Sequence, residues 1–249
     1  MSSESGVFAR AFGGGPLQGQ KLVRFIFLDE GGISKREPWV VVAGVFVHGD
    51  NQVAALEERL AFLVKKHIPE ELRDGFVFHA TELWSGIGPI FKDRDRWPLP
   101  VRLNILHDLV RIPGQYEIPI VFFALERSRV VFDEVDMTKV SAHELLAAAH
   151  GMTFTGCTLR IEQHMLEVWP SEIAQLVAED NDQARSIIKR AHEVIRNPKW
   201  IEQNNFEGLG SLLPLKKIRG AVHFANKVES SLTRSTMVWV TAISTARFA

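Results

Sequence analysis

Apolar runs of strand length alternate with longer segments of helical periodicity, and that alternation restricts the chain to a mixed α/β architecture. "KLVRFIFL" (residues 21–28) and "PWVVVAGVFV" (38–47) are rich in β-branched and aromatic residues and are separated by the polar "DEGGISKRE". They predict two neighbouring antiparallel strands, the first ending at Asp29. "IPIVFFALE" (118–126) and the run within "EIAQLVAEDN" (172–181) predict two more, and "GFVFHATEL" (75–83) a further strand entering a turn. "NQVAALEERLAFLVKKHI" (51–68) spaces Val53, Leu56, Leu60, Leu63 and Val64 as a helix does, with acids early and lysines late as the helix dipole prefers. Helices are expected as well over 99–112, 140–168 and 182–196, and "SGIGPIFKDRDRWPLP" (85–100) reads as an exposed loop. Gly151 and Gly156 each weaken the helix over 140–168 by about 1 kcal/mol relative to alanine. Close approach of a neighbouring element at the glycines would account for both.

At 249 residues and 46% hydrophobic, the chain has enough apolar material for a substantial core. With no internal repeat and no clear linker, one α/β domain is the economical organisation. Residues 1–20 are small, polar and glycine-rich and read as a flexible leader. No apolar run reaches the roughly 18 residues that span a bilayer, and no secretory signal pattern opens the chain, so a cytoplasmic protein without a membrane partner is expected. Cys157 is the only cysteine, which excludes an intramolecular disulfide and a thiolate zinc cage and marks it as a small core residue. The formal net charge of -1 neither recommends nor excludes a polyanionic partner.

Two stretches share a design: "FLDEGG" and "LVAEDND" each run an apolar strand straight into paired acids. A carboxylate at the end of a strand can point into a cleft while the apolar residues behind it fix its position. If Asp29 and Glu179 converge from neighbouring strands, their repulsion raises a pKa or calls for a cation between them. Oxygen ligands favour magnesium or manganese over zinc. The competing explanation is local: "DEGG" is sound turn chemistry, and "DND" can cap the helix that begins near residue 183. Spacing alone favours that local explanation.

"FIFLDEGG", "WVVVAGVFV", "FVFHATEL", the helix "AHELLAAAHGMTFTGCTLRIEQHML", "LVAEDND" and "LKKIRGAVHFANKVESS" follow one another in an order that resembles the uncharacterised bacterial family called domain of unknown function 3800. The resemblance covers residues 21–231. It implies a ribonuclease H-like fold, a mixed sheet flanked by helices with carboxylates gathered at strand ends around magnesium or manganese, and metal-dependent nuclease activity on phosphodiester bonds. Carried onto this chain, it makes Asp29 the first metal ligand with Glu30 beside it as helper, and Glu179 or Asp180 the next ligand. His79 and Glu82 of "FHATE" would orient water, contact phosphate or complete the metal shell. Without the resemblance, His79 reads as a core histidine. His143 and His150, seven residues apart, share a helix face and fit packing at least as well as chemistry.

Substrate phosphates would need cations. "FKDRDRW" (91–97) and Lys216, Lys217 and Arg219 of "PLKKIRG" (214–220) are candidates for nucleic-acid contact, and equally explicable as solvated surface. Members of the family close with a serine and a segment like "LQLAD", whose aspartate completes the acidic cluster. Here "LTRSTMVWVTAISTARFA" (232–249) stands in that place, with no acid after Glu229. A truncated, frame-shifted or divergent terminus would each give this tail, which has more strand than helix character. Loss of that acid would impair the site, so a non-catalytic binding or regulatory module that keeps the fold is the alternative to the nuclease. A small-molecule α/β enzyme is less favoured, because there is no glycine-rich phosphate loop after a strand and no G-x-S-x-G elbow.

Overall fold

The computed structural model describes residues 22–32, 37–130, 139–204 and 212–225. The expected leader (1–20), Glu229 and the tail (232–249) lie outside these. A five-stranded mixed sheet, in the order β3-β2-β1-β4-β5, forms the middle layer. Its strands are β1 (Val23–Gly31), β2 (Trp39–His48), β3 (Ile120–Glu126), β4 (Ile173–Glu179) and β5 (His223–Ala225). β2 runs antiparallel to both of its neighbours, whereas β1, β4 and β5 are parallel. The expected antiparallel pairing of the first two strands is what forms.

Alternation along the strands sends side chains to two separate cores. On one face Phe27, Val45, Val47 and Val177 pack against Leu56, Leu60 and Leu63 of α1 (Val53–His67), Leu83 of α2 (Ala80–Ser85), Phe91 of α3 (Gly88–Phe91), Ile105 and Leu109 of α4 (Leu99–Val110) and Ile112 of α5 (Ile112–Gln115). On the other face Ile26, Leu28, Val42, Phe46, Ala174 and Leu176 pack against Phe154, Cys157, Ile161 and Met165 of α6 (Ala142–Val168) and Ala184, Ile188 and Ile195 of α7 (Asp182–Arg196). A short α8 (Pro198–Asn204) follows α7. The result is a three-layer α/β/α arrangement in which every sheet face is covered. Cys157 is wholly buried, and that burial pushes its thiol up to about 12, so it is the inert core residue expected.

Several expectations are corrected. β1 does not stop at Asp29, because Asp29, Glu30 and Gly31 pair with Ala43, Val42 and Val41 and the β1–β2 ladder carries the strand past its acids. Gly75 lies in a turn with φ +61°, and residues 76–79 join no strand of the sheet; Phe76 and Phe78 turn into the α1/α4 core, and the segment runs directly into α2. The alternation that suggested a strand is the burial of those two rings. The expected loop 85–100 buries Phe91 and Trp97 and contains α3. The acids of α1 sit beyond its first turn, although Lys65, Lys66 and His67 do close the helix.

α6 opens with a capping box in which Ser141 Oγ accepts from the Glu144 N–H and the Glu144 carboxylate accepts from the Ser141 N–H. Its two glycines differ. A Cβ at Gly156 would meet three carbons of the Phe123 ring at 2.7–2.8 Å, so here the helix does press onto the sheet. A Cβ at Gly151 would meet only Ile187 Cγ2, at 3.6 Å, which is ordinary contact. Close packing therefore explains the first glycine and not the second. Gly156→Ala is expected to destabilise the fold by about 1–3 kcal/mol through overpacking, whereas Gly151→Ala gains up to about 1 kcal/mol of helix propensity. Urea denaturation of the two variants checks the contrast.

Candidate functional site

β1 and β4 pair in parallel from Val23↔Ile173 to Leu28↔Ala178. One register step further stand Asp29 and Glu179, side by side on strands whose backbones are about 4.8 Å apart. Phe27 and Val177, two residues before them, both enter the α1/α4 core, so alternation turns the two acids to that same face. Both are buried, Asp29 at 3% exposure and Glu179 at 9%. The two positions are adjacent on neighbouring parallel strands, one register step beyond the paired residues.

The other expected residues are distributed differently. Glu30 follows Asp29 within a strand and so stands on the opposite face, level with Val42. Asp180 is exposed and held by Arg185 of α7, whose Nη1 donates to both carboxylate oxygens at 2.9 and 3.1 Å. The Asn181 carbonyl accepts from the Arg185 N–H at the start of α7, so "DND" also serves the helix entry. His79 is the N-cap residue of α2, half-buried and making no side-chain cap bond. It lies on the same side of the sheet as Asp29, because its neighbours Phe78 and Ala80 belong to the α1/α4 core. Glu82 folds its carboxyl back onto Gly88, which adopts φ +83° and leaves the space a Cβ would take. Among the described residues no group of three or more His, Cys, Asp or Glu side chains is placed to hold a metal ion. The structure thus assembles a pair of carboxylates.

α2 is positioned by a cation that sequence inspection does not single out. Arg102 of α4, 5% exposed, donates to the carbonyls of Leu83, Trp84 and Trp97. It satisfies carbonyls left open at the C-terminus of α2 and complements the negative end of that helix. Within 91–97, Arg96 is engaged by Glu71 at 2.8 Å.

Lys216, Lys217 and Arg219 do not reach the acid pair. Their segment runs beside the start of β4: the Ala174 N–H donates to the Lys217 carbonyl and the Arg219 N–H to the Ala174 carbonyl, both at 2.9 Å. Ala174 is five residues before Glu179, or roughly 16 Å along the strand. What fixes this segment is Glu162 of α6, which is wholly buried and accepts from the backbone N–H groups of Lys216, Lys217 and Ile218 at 2.5, 2.8 and 3.0 Å. A buried carboxylate so ringed by donors is a structural anchor. In the sequence Glu162 looks like any polar helix residue, because its partners are more than fifty residues away. Glu162→Ala leaves three backbone donors without their acceptor and is expected to cost about 3–5 kcal/mol, measured by chemical denaturation.

One residue near the acids was missed. In β5, His223 pairs with Val177 and Ala225 with Glu179, so His223 shares the face of the acids. It is exposed, about 8 Å diagonally from Glu179 given strand spacing and rise. The only sequence signal is a two-residue alternation too short to register.

His143 is exposed, whereas His150 is 3% exposed with a buried Nε2 that has no hydrogen-bond partner, so the two form no common site. Burial pulls His150 down to about 4 from its ordinary 6.5, and burial likewise lowers His164 and His192. Between those pH values the unfolded chain binds more protons than the native one. Stability contributed by neutral His150 is therefore complete above about pH 6.5 and is lost as pH falls towards 4, by roughly 3 kcal/mol. Urea midpoints measured from pH 7 to pH 4 should fall accordingly, with a shallower fall in His150→Leu.

No protein-family model, curated protein or solved structure matches the chain. Among the described residues no helix is long and apolar enough to cross a membrane.

Proposed function

We propose that the protein is a divalent-metal-dependent phosphodiesterase acting on nucleic acid, a divergent relative of the domain of unknown function 3800 group with a ribonuclease H-like fold. One observation carries the reading: Asp29 and Glu179 occupy successive, adjacent positions at the C-terminal ends of two neighbouring parallel strands, buried and on one face. In open α/β sheets ligands bind beyond the C-terminal strand ends where the strand order reverses. Here β2 and β3 lie to one side of β1 and β4 and β5 to the other, so the reversal falls between β1 and β4.

The donor set fits magnesium or manganese. Both groups are hard oxygen ligands, and magnesium is commonly held by one or two carboxylates with water and substrate phosphate completing its shell. When bound, such an ion lowers the pKa of a coordinated water and neutralises charge on the attacking and leaving oxygens. The chain's own part is to hold two carboxylates in register, with Phe27 and Val177 behind them as a rigid apolar floor. His223, on the same face and open to solvent, can donate to a phosphate oxygen. His79 approaches from the same side on the entry to α2.

A non-catalytic binding module is the second reading, favoured by one observation: Asp180 is paired with Arg185, and among the described residues no group of three or more possible metal ligands is assembled. Cleavage of single- and double-stranded DNA and RNA in magnesium or manganese separates the two. The nuclease reading expects metal-dependent cleavage that falls on the order of 100-fold or more in Asp29→Asn and in Glu179→Gln, with the fold retained. Equal cleavage by wild type and Asp29→Asn would remove the assignment. Nucleic-acid binding with no cleavage under any metal would select the binding module.

A further inference from the structure

α7 carries Arg185, Lys189, His192 and Arg196 at spacings of four, three and four, which on a helix is a single row. The contacts show where the row lies. Arg185 and Lys189 stand over the Phe224 ring, at 5.1 and 5.7 Å from its centroid. His192 and Arg196 both donate to the Gly220 carbonyl. The row is therefore laid along residues 212–225, which contain Lys216, Lys217 and Arg219 and no carboxylate.

Main-chain oxygens serve several of these cations. Arg196 binds the Gly220 carbonyl and Lys217 Nζ the Pro170 carbonyl, which satisfies donors without cancelling charge. Arg185 has Asp180 as partner, in a pair 42% and 33% exposed and thus screened by solvent. Asp182 and Glu193 flank the row, and Lys189 and Arg219 are exposed. From Arg185 to Arg196 the row spans roughly 16 Å, the axial length of about four to five nucleotides. It begins beside Asp180, the residue after Glu179, and runs back along the β4–β5 edge to Arg219 at the start of β4.

We propose that this row, on the α6/α7 side of the sheet, is a phosphate track along which a nucleic-acid strand is held, its end leading to the C-terminal sheet end where the Asp29/Glu179 pair faces the α1/α4 side. Three cations, Arg185, Lys189 and Arg196, stand along the row, the first two over a half-buried aromatic ring, while His192 is buried among them. With no reading element for base edges among the described residues, the arrangement suits sequence-independent binding of a single strand. The inference rests on the proposed function only in taking nucleic acid as the polyanion.

Binding is measured by fluorescence anisotropy of the full chain with a labelled single strand of about 20 nucleotides, DNA or RNA, in EDTA, from about 50 to 200 mM salt. The expected result is salt-sensitive binding that weakens at least about tenfold in the double variant Lys189→Glu/Arg219→Glu, with a salt slope shallower by about 1.4, the loss of two phosphate contacts. Arg190→Glu, on the other side of α7, should change affinity less than about twofold, and Asp29→Asn should bind as wild type. Far-UV circular dichroism confirms that each variant is folded. Absence of wild-type binding, an unchanged double variant, an equal loss in Arg190→Glu, or binding of phosphatidylserine vesicles in place of nucleic acid would each overturn the track. Binding through the row without cleavage in any metal would remove the hydrolytic reading and leave the track standing.

Discussion

Parallel pairing of β1 with β4 is the contact on which the site depends. Parallel strands cannot be joined by a tight turn, so the chain between them must leave the sheet and return. It does so through β2, β3 and the long α6. That path seals one face of the sheet with α6 while α1, α2 and α4 seal the other. Because the pairing is parallel and in register, Asp29 near the end of β1 and Glu179 at the end of β4 reach the same end of the sheet on the same face. Two carboxylates distant in sequence become neighbours without any loop having to hold them.

The two ends of the sheet are built differently. At the N-terminal end Arg24 and Glu172 are buried together, with Nε donating at 2.5 Å, and the guanidinium lies 3.5 Å over Trp169. Close by, Glu162 satisfies the backbone donors of residues 216–218. Opposite charges and donors are matched there, which is how a protein closes a polar end of a fold. At the C-terminal end two acidic residues, Asp29 and Glu179, stand in adjacent register positions. Neighbouring buried acids at a strand end are the kind of arrangement that marks functional sites.

Much of this was legible in the sequence. β1, β2, β3 and β4 are each short β-branched or aromatic runs, and α1, α4, α6 and α7 carry their periodicity plainly. The convergence of Asp29 with Glu179 follows from acids closing two such runs once the strands are neighbours. What was not legible depends on contacts remote in sequence or on local steric detail. Phe76 and Phe78 alternate as a strand does, yet their rings are drawn into a helical core. Glu30 looked like Asp29's helper, and strand pleating sends it to the other face. Lys216, Lys217 and Arg219 read as candidate phosphate contacts or solvated surface, and the pairing of their segment with the start of β4, which sets it away from the acids, has no signal in the sequence. Asp180 read as a ligand because nothing in the sequence showed Arg185 folding back on it from α7.

Diffraction from crystals soaked in manganese, recorded near the manganese absorption edge, tests the central claim most directly. An anomalous peak between the carboxylates of Asp29 and Glu179, lost in Asp29→Asn, is the predicted result. A well-ordered map with no peak there, or with manganese bound only at other carboxylates, would contradict it.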